Sequence, residues 1–196
     1  MNSGRLDRKP PSLSLNRHFN MTPPVFNELW EELLIKHGTC WAKVVSDSMY
    51  PVIKRGNQVL VEKADPDQVR FGDIVVFRRS GTLVTHRVIG KSKLGGEYHL
   101  LEKGDANLQS TLVPVKDVIG RITAIRNTVK TLPIISGPGR LLQLILACIS
   151  YTSVKIWAIL RFCGTGLRRT SHRRQYGAVY HSSFSLLRRI ALRLFL

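Results

Sequence analysis

From residue 41 onwards, apolar and polar side chains alternate along several short runs of the chain. These runs lie near residues 41–47, 57–63, 73–79, 83–89, 97–102 and 117–126, and each is rich in Val, Ile, Leu, Phe or Tyr. Turn-forming pairs such as Gly56-Asn57, Gly72-Asp73 and Gly95-Gly96 separate them, with no helical period in between. A period of two bounded by such residues is typical of antiparallel strands. The pattern therefore predicts a mainly β domain, curled or barrel-like, over residues 40–127.

Two segments outside this region have a helical pattern. Residues 25–38 carry an apolar stripe behind the N-cap candidate Thr22, which predicts a short amphipathic helix. Residues 131–140 contain two prolines and two glycines and are expected to form a linker. Residues 141–160 form an apolar run that, as a helix, would be about 30 Å long, enough to cross a bilayer. We expect this candidate membrane helix to span the bilayer or lie in its interface, with packing on the domain as the third alternative.

The net charge of +17 is concentrated in the last part of the chain. Residues 118–196 contain 13 lysines and arginines and no acidic residue, and 161–196 form a basic tail. We expect this tail to bind an anionic membrane surface. No nucleic-acid-binding motif accompanies it, so nucleic acid is not an expected partner. Residues 1–24 are charged and proline-rich without an apolar core, which predicts a disordered arm.

Three polar residues in or beside the predicted β region are candidates for chemistry. Ser48 lies in a turn between two strands, His86 lies in an apolar strand, and Asp105 follows a glycine after another strand. Each has an ordinary structural explanation by itself, as a turn former or a core histidine. Together they would suit acyl transfer, in which the serine attacks, the histidine accepts its proton and the aspartate orients the imidazole.

Four short blocks follow one another in this region. They read Ser-Asp-Ser-Met-Tyr-Pro at 46–51, Arg-Phe-Gly-Asp-Ile-Val-Val-Phe at 70–77, Val-Thr-His-Arg-Val-Ile at 84–89, and Lys-Gly-Asp-Ala-Asn at 103–107 with Val-Ile-Gly-Arg at 118–121. In this order they resemble the motifs of the type I signal peptidases of the S24/S26 group. The resemblance is to the branch of the eukaryotic endoplasmic reticulum, archaea and some bacteria, which uses serine and histidine.

The resemblance implies a signal-peptidase/LexA-like curled β fold and a serine endopeptidase. It places the nucleophile at Ser48, the general base at His86 and an acid at Asp105. It also assigns the oxyanion hole to the main-chain N–H of Ser48 and the hydroxyl of Ser46. Enzymes with a lysine base, including the LexA-type self-cleaving repressors, fit less well because this chain has His86 at that position. No cofactor and no metal are implied.

One departure from the family pattern concerns the third catalytic residue. The family usually carries a further aspartate about six residues after the position of Asp105, and this chain has Thr111 there, with no acid between residues 108 and 114. Three alternatives stay open: Asp105 is the only carboxylate left to orient His86 and does so, the enzyme works as a Ser–His dyad, or it is impaired. We therefore expect a membrane-associated peptidase that cleaves a signal or leader segment from a precursor protein. The alternatives are a catalytically impaired peptide-binding protein at a membrane, and a cytoplasmic location.

Overall fold

A computed structural model describes residues 23–127 and 130–163 of the 196-residue chain. Residues 1–22 of the predicted arm and residues 164–196 of the predicted basic tail lie outside the described residues. The predictions of disorder and of membrane binding for these segments therefore remain predictions.

Eight strands and two α-helices make up the regular structure of the described residues. In chain order they are α1 (Pro23–His37), β1 (Thr39–Lys43), β2 (Gln58–Lys63), β3 (Ile74–Arg79), β4 (Thr82–Leu94), β5 (Glu97–Lys103), β6 (Thr111–Pro114), β7 (Val118–Arg126), β8 (Thr131–Pro133) and α2 (Gly137–Cys163). Every strand pair is antiparallel, and the strand order is β1-β2-β7-β3-β4-β5-β6, with β8 added to β7. This arrangement confirms the predicted mainly β fold with a helix at each end.

The central strand β3 is buried on both faces, because each face contributes to a different core. Ile74 and Val76 belong to a first core beneath α1, which also contains Trp30, Leu34 and Met49. Val75 and Phe77 belong to a second core with residues of β4, β5 and β7. Alternate residues of a strand point to opposite faces, so a strand with apolar residues at four successive positions can serve two cores at once.

The sequence pattern missed two short strands. β6 has four residues, of which one is buried, and β8 has three residues and includes Pro133. Strands this short carry too few residues to show an alternation. The predicted linker 131–140 was therefore wrong in part, because it contains β8 and the first residues of α2.

The helix α2 packs on the β domain with its N-terminal half. Leu142 and Leu146 are buried and pack against Val52, and Gln143 is buried beside Arg87. Packing on the domain is thus the alternative that holds for this half. By length and composition, the segment Gly137–Ile159 is also long and apolar enough to cross a membrane. About a third of its most apolar part is buried within the protein.

Candidate active site

Ser48 lies in a tight turn that is fixed to the core by the next residue, Met49. The N–H of Tyr50 donates to the carbonyl of Asp47 at 3.0 Å, and the N–H of Ile53 donates to the carbonyl of Met49 at 3.0 Å. Met49 is buried in the first core, whereas Ser48 is only partly buried. The turn therefore holds the Ser48 hydroxyl at the surface on a backbone fixed by core packing.

The Ser48 turn rests on the loop that follows β5. The N–H of Ala106 donates to the carbonyl oxygen of Ser48 at 2.9 Å. A Cβ atom added to Gly104 would lie 2.8 Å from the same oxygen and 2.6 Å from the side-chain nitrogen of Asn107. Only glycine allows so close an approach of two backbones, which explains the glycine of the Lys-Gly-Asp block.

His86 lies in β4 with its ring against the second core. Its ring makes an edge contact with Phe77, with the ring centroids 6.1 Å apart. Its Nδ1 atom is 2.5 Å from the carboxylate oxygen Oε2 of Glu102. Glu102 lies on β5 opposite Val88, two residues along β4 from His86, so both side chains emerge on one face of the β4–β5 ladder.

The carboxylate of Glu102 is 2% exposed and has two further donors. Its other oxygen, Oε1, accepts from Arg79 Nη2 at 2.6 Å and from the hydroxyl of Thr111. Burial by itself would raise the pKa of Glu102, but the hydrogen bonds from His86, Thr111 and Arg79 outweigh it and lower the pKa below its usual value. The carboxylate is therefore ionised at neutral pH.

An ionised carboxylate only accepts hydrogen bonds, which fixes the tautomer of His86. Nδ1 must carry the proton that Glu102 accepts, so the neutral ring has its lone pair on Nε2. Among the described residues, Nε2 has no hydrogen-bond partner. The ring is thus oriented and protonated as a general base requires.

Asp105 is paired with Arg87. Its two carboxylate oxygens accept from Nε and Nη2 of Arg87 at 2.9 and 2.7 Å, and both side chains are fully buried. The expectation that Asp105 is the only carboxylate available to orient His86 is therefore wrong, because Glu102 occupies the Nδ1 side of the ring. What Asp105 does in catalysis stays a hypothesis.

The structure brings Ser48 and His86 to the same end of the β4–β5 ladder without a hydrogen bond between them. Arg87 pairs with Lys103 across the ladder, and the next residue, Gly104, is the one that meets the Ser48 carbonyl. Within the described part of the chain, the Ser48 hydroxyl has Ser46 Oγ as its hydrogen-bond partner, at 3.3 Å. In substrate-free enzymes, hydrogen bonds between catalytic groups are often long or poorly aligned.

Two residues around His86, Glu102 and Arg79, were not singled out from the sequence. Glu102 had one signal, a charged residue that directly follows two leucines in a predicted strand. Arg79 had none, because its contact with Glu102 joins two strands, β3 and β5, that are far apart in sequence. Thr111 was noted only as the position that lacks an acid, and its contact with Glu102 depends on the strand β6, which the sequence pattern did not reveal. A charged residue on the buried face of a strand needs such partners.

Comparison with known proteins places the chain in the same broad group as the motifs, the signal-peptidase-like proteins. The chain is 34% identical to Signal peptidase I W of Bacillus subtilis over 76 residues, which is 38% of this chain and 40% of that protein. It is 36% identical to the Signal peptidase complex catalytic subunit SEC11C of Homo sapiens over 84 residues, which is 40% of this chain and 44% of that protein. A third relative, an uncharacterised protein of Methanocaldococcus jannaschii, is 56% identical over 39 residues, 18% of this chain and 19% of that protein.

The chain thus spans less than half of the length of these curated relatives. The family model described as Peptidase S24-like matches residues 15–112, which is half of the chain. This match includes the Ser48 turn, His86 and Glu102, and it ends within β6. With this match and two signal peptidases among its relatives, the chain belongs to the Peptidase S24-like family and is a signal-peptidase-like protein.

Proposed function

We propose that the protein is a serine endopeptidase that cleaves a signal or leader segment from a precursor protein. Ser48 is the nucleophile and His86 the general base. The single observation that carries the proposal is the 2.5 Å contact between His86 Nδ1 and the buried carboxylate of Glu102, from which we infer a neutral ring with its lone pair on Nε2. The names of the two signal peptidase relatives support the choice of substrate.

The proposed reaction is an acyl transfer in two steps. The Ser48 oxygen attacks the scissile carbonyl carbon while His86 Nε2 accepts the hydroxyl proton. The C–N bond then breaks, the leaving amine takes that proton from His86, and the precursor is held as an ester on Ser48. A water molecule attacks this ester with His86 again as the base, which releases the carboxylic acid and restores the serine.

The oxyanion of each tetrahedral intermediate needs hydrogen-bond donors beside Ser48. We assign this role to the main-chain N–H of Ser48 and the hydroxyl of Ser46, which lies 3.3 Å from the Ser48 hydroxyl. The Ser48 N–H has no acceptor among the described residues. Removal of one such donor costs about 10²–10³ in rate in serine proteases.

We also propose that the protein acts at a membrane surface. The outward face of α2 carries Leu141, Ile156 and Ile159, which are exposed. In sequence this helix is followed by the basic segment 161–196. An apolar face joined to arginines suits an anionic bilayer. A protein that stays in the aqueous phase when such vesicles are sedimented would contradict this proposal and favour the cytoplasmic alternative.

The test is cleavage of a signal-bearing precursor by the detergent-solubilised full chain, followed by mass spectrometry. Ser48→Ala and His86→Ala should each lose cleavage while retaining the wild-type unfolding midpoint. Ser92→Ala and His99→Ala are matched controls, because these two residues face each other across the distal part of the same β4–β5 ladder. Wild-type rates in either active-site variant would overturn the mechanism. Precursor binding without cleavage by the wild type would favour the impaired peptide-binding alternative.

A further inference from the structure

We propose that Glu102 is the positioning residue for His86 and supplies, from the neighbouring strand, the carboxylate that the family pattern usually has near position 111. This inference rests on the proposed peptidase function. Glu102 does not touch the substrate in this scheme. It acts by fixing the tautomer and orientation of the ring that accepts the Ser48 proton.

The contacts of Glu102 hold its carboxylate in place against one nitrogen of the His86 ring. Oε2 is 2.5 Å from His86 Nδ1, while Oε1 accepts from Arg79 and Thr111. Both carboxylate oxygens are therefore engaged, which keeps Oε2 directed at the His86 ring. Arg79 is in turn placed over the Phe77 ring, with its guanidinium carbon 4.9 Å from the ring centroid, and it also donates to Thr111 Oγ1 at 2.8 Å.

The register of the sheet explains how positions on two neighbouring strands can supply a carboxylate to the same histidine. Glu102 and Thr111 are direct partners across the antiparallel pair β5–β6. Side chains at directly paired positions lie about 5 Å apart at Cβ and point to the same face. A carboxylate at position 111 and a carboxylate at position 102 can thus approach the same histidine. In this chain the acid is at 102, and the hydroxyl of Thr111 donates to it.

Arg79 makes the requirement for a carboxylate strict. A glutamine at position 102 would have one oxygen and one NH2 group, and Arg79 can only donate. The amide oxygen would therefore face Arg79 and Thr111, and the NH2 group would face His86. Nδ1 would then have to accept, which moves the ring proton to Nε2 and removes the base. Loss of the correct tautomer in a serine protease triad lowers kcat by about 10⁴.

The activity test compares variants of the full chain in detergent. The substrate is an internally quenched peptide with alanine at the first and third positions before the scissile bond. Glu102→Gln should lower kcat by at least about 100-fold at pH 7, a conservative bound below the triad value. Glu97→Gln, which removes an exposed carboxylate from the same strand, should leave the rate within about twofold, as surface substitutions usually do.

Two double variants separate positioning from a structural role. In Glu102→Gln/Arg79→Gln the amide can rotate, so that its oxygen faces His86, and the rate should rise above that of Glu102→Gln. In Glu102→Thr/Thr111→Asp the acid returns to β6, and the rate should again exceed that of Glu102→Gln. If both double variants are as slow as Glu102→Gln, the exchange of the acid between strands is refuted.

A second readout does not depend on activity. The ¹⁵N chemical shifts of labelled histidine distinguish the two neutral tautomers, and the His86 signals are those absent from His86→Ala. Wild type should show the proton on Nδ1, and Glu102→Gln should show it on Nε2. A wild-type ring protonated on Nε2 would overturn the proposal without any variant, as would a rate for Glu102→Gln within twofold of an active wild type. A fixed Nδ1–H tautomer in a wild type that cleaves no precursor would support the role of Glu102 and refute the proposed function.

Discussion

Arg87 and Asp105 form a two-point ion pair in which neither side chain is exposed to solvent. Arg87 also donates to the carbonyl of Gly72 at 3.1 Å and to Oε1 of Gln143 at 2.5 Å. One guanidinium therefore joins the loop behind Ser48, the turn before β3 and the first turns of α2. Arg87 directly follows His86 in sequence, but its contacts hold three segments of the fold together.

Asp105→Asn should destabilise the fold. Removal of one partner leaves the buried charge of Arg87 uncompensated, which costs about 3–5 kcal/mol. Urea unfolding at pH 7 measures this change. The control is Glu97→Gln, whose ion pair with Lys116 is exposed at 3.3 Å and contributes about 0–1 kcal/mol. An Asp105→Asn variant with unchanged stability and abolished cleavage would contradict the structural assignment and favour a catalytic role.

Gly104→Ala should reduce cleavage through the position of Ser48. The added Cβ would lie 2.8 Å from the Ser48 carbonyl oxygen, so either the Ser48 turn or the loop after β5 must move. Displacement of a reacting group by about 1 Å can cost about 100-fold in rate. Gly90→Ala is the matched control, because a Cβ at Gly90 meets its nearest atom, on Leu101, at 3.4 Å. Equal rates in the two variants would show that the contact with Gly104 does not position the serine.

The local parts of this site could be predicted from the sequence, whereas the contacts between strands could not. The Ser48 turn and the His86 strand were predicted from local patterns and short motifs, because each depends on a few consecutive residues. The partner of His86 was not predicted, because two acids, Glu102 and Asp105, lie near the end of β5 and short motifs do not distinguish them. Only the alternation of side chains along the strand and the pairing with β6 decide which of them faces the ring.

The stability of the wild type should depend on Glu102 in the acid range. Its pKa is lowered in the folded protein, because the hydrogen bonds from His86, Thr111 and Arg79 outweigh the opposite effect of burial. A carboxylate with a lowered folded-state pKa stabilises the fold above its unfolded pKa of about 4.3 and loses that contribution as pH falls through the folded value. The contribution of the Glu102 carboxylate to the difference in unfolding free energy between wild type and Glu102→Gln should shrink as pH falls below about 4.3. Urea unfolding at pH 7, 5 and 3 tests this, and a difference that persists undiminished at pH 3 would contradict it.

The two halves of α2 should respond differently to truncation of an apolar side chain. Leu146 is 0% exposed and packs against Val52 close to the Ser48 turn, so Leu146→Ala should cost about 2–5 kcal/mol. Ile159 is 60% exposed, and Ile159→Ala should change stability by less than about 0.5 kcal/mol. Urea unfolding in detergent-free buffer compares the two. A small effect at Leu146 would mean that α2 does not pack on the domain in solution.

The outward face of α2 predicts a defect in lipid binding that is independent of folding. Leu141 and Ile159 lie on the same face, because eighteen residues make about five helical turns, and both are exposed. Ile159→Asp places a charge on this face and should weaken sedimentation with vesicles of phosphatidylserine and phosphatidylcholine, since it removes buried apolar area and adds repulsion from anionic lipid. Ile159→Asn, which is polar but uncharged, separates these two contributions, and raising the salt concentration should reduce the difference between the variants. Wild-type binding by Ile159→Asp would show that this face is not the one that meets the lipid.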